Sequence, residues 1–230
     1  MQFNGRRRAR FGHGPGSDVR YLCPAPPRAL LDDFSAYLTL GLSHILDVQG
    51  YDHILFIVAL VAAYTLSDAR RLLWLVTAFT VGHSITLALA TLGLVTVDSG
   101  LVEVLIPLTI VATALFTIWQ ERQPAGPYEA ESKRSAYMRY VLAAGFGLIH
   151  GLGFSSFLRA ALGGEESLVV PLLGFNVGLE LGQIVILLGI LLVGLAVTKL
   201  AGLTDRAWTL VLSGVALGGA LTLVVDALAG

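Results

Sequence analysis

The chain has 230 residues, of which 55% are hydrophobic and 13% are charged, against roughly 25% charged residues in an ordinary soluble domain. This composition excludes a soluble globular protein. The formal net charge of −1, with neither a basic recognition helix nor a basic stripe carrying aromatic residues, excludes a nucleic-acid-binding protein. Lysine and arginine concentrate between long apolar runs, so we predict an all-α, polytopic transmembrane helical bundle.

The chain begins with a polar segment, 1–33, that is rich in arginine, proline and glycine. It lacks the apolar core of a signal peptide, and we predict a disordered tail ahead of a transmembrane domain at 34–230. The single cysteine, Cys23, lies in this tail and excludes an internal disulfide framework.

Apolar segments long enough to cross the ~30 Å hydrocarbon core follow in chain order. They lie at 71–95, 101–119, 140–162, 174–198 and 207–228. Two shorter segments, 34–48 and 51–66, precede them, so we predict six or seven transmembrane helices. The stretch 168–198 is too long for one upright helix and holds a proline and two glycines near its start. A tilted helix would accommodate it, but the pattern favours a broken or re-entrant segment near 168–180.

The basic residues between the predicted spans indicate the orientation. Eight of them fall in loops of one parity, and only Arg159 falls in the other loops. The richer loops are therefore predicted to face the cytoplasm, in the plasma (inner) membrane of a bacterium. With seven helices the arginine-rich tail is cytoplasmic, and with six it lies outside.

Ionisable residues inside a bilayer cost roughly 2.5–3.5 kcal/mol each, so a group of them indicates either mutual pairing or a function. Asn176, Glu180 and Gln183, at i, i+4 and i+7, form one polar stripe on a helix face. One buried histidine is as often structural as functional, but a larger set predicts a metal site or a proton relay. The histidines and acids in or beside apolar segments are His44, Asp52, His53, His83, Glu103, His150 and Glu180.

Imidazole and carboxylate ligands suit nickel, cobalt, zinc, manganese or ferrous iron, whereas copper(I) prefers Cys and Met, which the predicted spans lack. No P-loop occurs, so we expect no nucleotide cofactor. An intramembrane hydrolase would need a nucleophile such as Ser155 or Ser156. Neither has a GxSxG context, and His150 is a poorly placed base on the same predicted helix, so we expect no enzyme.

Five sequence runs resemble the HupE/UreJ family of membrane proteins, which are associated with supplying nickel and related metals to hydrogenases and ureases. They are GLSHILDVQGYDHILF, FTVGHSITLAL, LVEVLIPLTIV, FGLIHGLGFSS and FNVGLELGQ. The resemblance implies a multi-helix permease fold that handles metal at His44, Asp52 and His53. Ile45 stands where the best-studied permeases carry proline, so the chain is more similar to the less characterised branch of the family.

Our first hypothesis is a secondary permease for a divalent transition-metal ion, nickel or cobalt, driven by the membrane potential. The second is a metal sensor, or an assembly factor for a metalloenzyme, that uses the same residues as a static site. Both need the metal ion and the lipid bilayer as partners, and they leave open a homo-oligomer and a metalloenzyme maturation system. The predicted metal-binding residues are His44, Asp52, His53, His83, Glu103, His150, Asn176, Glu180 and Gln183.

Overall fold

The computed structural model describes residues 27–122, 133–162 and 167–229, and these ranges form eight α-helices without a strand. The predicted all-α bundle is confirmed. Most of the predicted tail, 1–26, lies outside the described residues, and the first helix begins inside the remainder of that segment. The helices are α1 Pro27–Leu46, α2 Asp52–Val61, α3 Ala69–Thr91, α4 Ser99–Glu121, α5 Lys133–Gly153, α6 Ser155–Ala161, α7 Val169–Leu200 and α8 Asp205–Ala229.

Four of these helices, α3, α4, α7 and α8, are long and apolar enough to cross a membrane. Helices α5 and α6 meet at a bend of 51° and make a fifth span if they are counted together. These spans lie where the five long apolar segments were predicted. The predicted total of six or seven also requires α1 and α2. Among the described residues, neither of these helices is both long and apolar enough to count as a span by itself.

The break predicted near 168–180 is wrong, because α7 is continuous from Val169 to Leu200. Pro171 is the third residue of the helix, where its missing N–H has no intrahelical acceptor to lose. Gly174 and Gly178 do not break the helix, but let α1 approach it closely. A Cβ at Gly178 would lie 2.0 Å from the Leu38 carbonyl oxygen, and one at Gly174 would lie 2.7 Å from that of Phe34.

The interruption lies instead between α1 and α2. Along α7, the positions of Gly174, Gly178 and Gly182 face successively later residues of α1, so α1 and α7 run in the same direction. Helix α8 turns back after the short connection 201–204, and its first turn lies against α7, where Trp208 meets Gly194. Helix α2 runs opposite to α8, because its first half lies against Gly219 and its end against Thr209. Consecutive helices α1 and α2 therefore run in one direction, separated by the segment 47–51.

Close packing of α3 against α5 positions the middle of the bundle. A Cβ at Gly82 would lie 2.1 Å from the Ala144 carbonyl oxygen, and one at Gly147 would lie 2.2 Å from that of Phe79. Gly151 meets His83 in the same way, with 2.4 Å to its carbonyl oxygen. Small residues at this spacing let two backbones touch. The two helices therefore hold their histidines at neighbouring levels.

Candidate metal centre

Imidazole rings from four helices converge in the interior. His44 lies near the end of α1, His53 in the first turn of α2, His83 in the second half of α3, and His150 near the end of α5. The His53 ring centroid lies 4.8 Å from that of His44, 5.1 Å from that of His150 and 6.0 Å from that of His83. The helix interruption and the glycine-mediated packing thus bring together side chains separated by up to 106 positions in the sequence.

Asp52 determines the tautomer of His53, the central histidine, that is, which ring nitrogen carries the proton when the ring is neutral. Its Oδ1 lies 3.1 Å from His53 Nδ1, and because a carboxylate only accepts, Nδ1 carries the proton and donates it. The lone pair of the neutral ring is then on Nε2, which is buried and has no hydrogen-bond partner among the described residues. A carboxylate that orients a histidine in this way is typical of metal-binding sites.

Thr109 determines the tautomer of His150 in a comparable way. A hydroxyl has one proton, and Thr109 Oγ1 donates it to the Ile106 carbonyl at 2.6 Å. The same oxygen lies 3.1 Å from His150 Nε2 and must accept from it, so the lone pair of the neutral ring is on Nδ1. That nitrogen is also buried without a partner in the part of the chain that the structure describes.

Asp52, His53 and His150 are therefore set up as a ligand group. One ligand atom from each residue lies within 4.8 Å of the others. A buried nitrogen lone pair without a donor forfeits a hydrogen bond that it would make in water. A bound cation or a proton would give such a lone pair the partner that it lacks.

His44 and His83 complete the group of rings. Each has a buried nitrogen without a partner among the described residues: Nε2 in His44, and both ring nitrogens in His83. His44 is covered by Phe154, 3.9 Å away between ring centroids, which lies at the bend between α5 and α6. Phe154 in turn stacks on Phe175 of α7 at 5.0 Å. The bend thus places an aromatic cover over one side of the histidines.

A cavity of about 340 Å³ connects this group with the surface. His44, His53 and His150 line it, whereas His83 is fully buried and is not among its lining residues. Its acidic lining residues are Asp47, Asp52 and Glu103.

The polar stripe of α7 is hydrogen-bonded to other groups and does not line this cavity. Glu180 Oε1 accepts from Thr77 at 2.6 Å, and Gln183 Oε1 accepts from Thr80 at 2.6 Å. Asn176 donates to the Leu172 carbonyl of its own helix. Among the described residues, Glu180 is not part of the converging ligand group. The stripe therefore joins α7 to α3, while the metal-type ligands are gathered elsewhere.

Sequence reasoning missed Thr109, which holds His150, and Asp226, which lines a cavity beside Asp52 and Glu103. The sequence did contain an indication for Asp226, because it is a charged residue inside the last apolar segment. For Thr109 it contained none, since a threonine in an apolar helix usually donates to its own backbone.

The model of one protein family, described as HupE / UreJ protein, matches residues 25–226. This range contains every residue of the histidine group. Comparisons with curated proteins and with solved structures found no match.

Proposed function

Because the chain belongs to the HupE/UreJ family, we propose that it is a membrane permease for a divalent transition-metal ion, nickel or cobalt, and that Asp52, His53 and His150 form its binding site. One observation carries the proposal. His53 Nε2 and His150 Nδ1 are both buried lone-pair nitrogens without a partner in the described structure, beside a carboxylate. Nickel and cobalt accept this mixture of neutral imidazole and carboxylate ligands, as do zinc, manganese and ferrous iron.

The path to the site supports movement of the ion as well as binding. The cavity that holds the histidines also reaches Asp47 and Glu103, so an arriving cation meets carboxylates before imidazoles. Interrupted helices beside a polar cavity are typical of secondary transporters, and the interruption at 47–51 lies between His44 at the end of α1 and the proposed ligands Asp52 and His53 at the start of α2.

The distribution of lysine and arginine gives the proposed orientation. If the basic loops face the cytoplasm, the cavity opens on the outer side of a bacterial plasma membrane. Taken as one interrupted span, α1 and α2 bring the number of passages to six and put the start of α1 outside. The membrane potential then favours inward movement of a divalent cation by about 2.3 kcal/mol per charge per 100 mV. No catalytic step is proposed.

The test is nickel and cobalt influx into proteoliposomes that contain a metal-sensitive dye, comparing the intact protein with His53→Ala and His150→Ala. Glu121→Gln, near the other end of α4, is the matched control. Saturable influx that both histidine variants lose and the control keeps supports the permease.

A parallel titration of the solubilised protein with Co²⁺, followed by its visible absorption, separates transport from binding. Binding without influx above that of empty liposomes would reject the permease and favour a static sensor or an assembly factor. Neither binding nor influx would reject both functions.

A further inference from the structure

A second cavity, of about 430 Å³, adjoins the first one and lies between the first half of α4 and the end of α8. The two cavities share Gly50, Asp52, Glu103 and Ile106, so they form one route to the histidines. The second cavity adds Asp226 of α8 to the acidic lining. No lysine or arginine lines either cavity among the described residues. Arg159 lines a neighbouring cavity and donates to the Ala90 carbonyl.

Two features show that the acidic residues here do not serve helix stability. Asp226 lies in the last turn of α8, where the negative end of the helix dipole disfavours a carboxylate. Neither Glu103 nor Asp226 has a hydrogen bond or an ion pair with another described residue, and both are exposed. A cation would relieve both conditions.

Backbone chemistry adds an oxygen to the same wall. Pro107, which lines the second cavity, has no N–H to donate four residues back along α4. The carbonyl oxygen of Glu103 is left without its helical donor. Glu103, which lines both cavities, thus carries a carboxylate and a carbonyl oxygen that lacks its usual helical donor.

The inner end of the route points independently to a cationic ligand. His53 is 4% exposed and His150 is fully buried, both belong to the lining of the first cavity, and each has a buried nitrogen that lacks a partner among the described residues. We infer that Glu103 and Asp226 form an outer site that collects hydrated divalent cations and passes them to the histidine group. This inference rests on the proposed metal-binding function and adds a second site to it.

Ligand chemistry separates the two sites. Carboxylate and carbonyl oxygens bind any hydrated divalent cation, including Ca²⁺ and Mg²⁺, whereas imidazole selects transition metals. The outer site therefore selects charge, and the inner site selects the metal. The main effect of the outer site is on the rate at which the metal ion associates with the protein, because carboxylates at the mouth of a low-dielectric cleft raise the local concentration of cations.

The experiment is stopped-flow mixing of the solubilised full chain with Co²⁺, followed by the visible absorption of the imidazole-bound ion. We expect Asp226→Asn with Glu103→Gln to slow association by roughly 10-fold at low ionic strength, and far less at high ionic strength. The final spectrum should match that of the wild type, which also verifies folding. Millimolar Ca²⁺ should slow association to the wild type and not to the variant. Asp226→Asn alone is the second variant if the double variant does not fold.

Glu121→Gln is the matched control and should keep the wild-type rate and Ca²⁺ sensitivity. An unchanged association rate in the Asp226→Asn variant overturns the inference while leaving the inner site intact. A changed final spectrum overturns it too, because the two acids would then be ligands of the inner site. A wild type that binds no Co²⁺ would instead reject the metal-binding function on which the inference rests.

Discussion

Replacing Thr109 with valine tests whether Thr109 prepares His150 for the proposed metal site. The substitution keeps the size of the side chain but removes the oxygen that accepts the proton of His150 Nε2, 3.1 Å away. The ring then either keeps a buried N–H without an acceptor, which costs about 1–3 kcal/mol, or moves the proton to Nδ1 and loses the lone pair that faces the site. Loss of such an orienting partner typically weakens metal affinity about 10–100-fold, which is about 1.4–2.7 kcal/mol.

A titration with Co²⁺, monitored by visible absorption, measures this affinity directly. Thr113→Val is the matched control, because Thr113 lies one turn along α4, is also buried, and donates only to the Thr109 carbonyl. We expect Thr113→Val to retain wild-type affinity. If Thr109→Val binds Co²⁺ as tightly as Thr113→Val does, the assignment of the His150 lone pair to the metal site is refuted.

Two further substitutions test the packing and the polar stripe. In α5, Gly147→Ala should destabilise the protein by about 1–3 kcal/mol, because its Cβ would lie 2.2 Å from the Phe79 carbonyl oxygen. Gly145→Ala, with nothing within 4 Å of its Cβ, should be neutral or slightly stabilising in thermal unfolding in detergent; equal midpoints would contradict the close α3–α5 contact. Thr77→Val should cost about 1.5–3 kcal/mol, as Glu180 loses a charge-assisted hydrogen bond. The Co²⁺ spectrum should not change in that variant, and a shifted spectrum would show that the stripe contributes to the metal site.

Hydropathy predicts the long spans well, because bilayer thickness fixes the length of an apolar helix. The interruption was predicted in the wrong place because proline and glycine can break a helix but also occur inside continuous helices, proline in the first turn and glycine at close contacts. Pro171 is harmless in a first turn, and Gly178 is required by a carbonyl on α1, at Leu38, 140 positions earlier in the chain. No local pattern identifies such a distant partner.

The candidate site shows a similar division. Charge inside apolar segments was enough to single out the histidines and Asp52, because burying such groups is costly enough to be informative. The same argument also selected Glu180, and the helical spacing of the polar stripe selected Gln183, but their partners are the hydroxyls of Thr77 and Thr80. Whether a polar side chain faces the site or a neighbouring hydroxyl depends on helix rotation, which the spacing along one helix does not determine. Asp226 was missed because it lies close to the end of its segment.

The interruption between α1 and α2 divides the histidine group between two helices that pack mainly against different neighbours. His44 belongs to α1, which the α7 glycines hold tightly, whereas His53 belongs to α2, which packs against α4 and α8. No helical hydrogen-bond ladder crosses 47–51, so a rocking motion of α1 with α7 would change the 4.8 Å separation of the two rings without breaking either helix. In the proposed permease, the histidine group would thus be assembled across this interruption, and a motion that exposes the site to the other side of the membrane would also withdraw His44 from it.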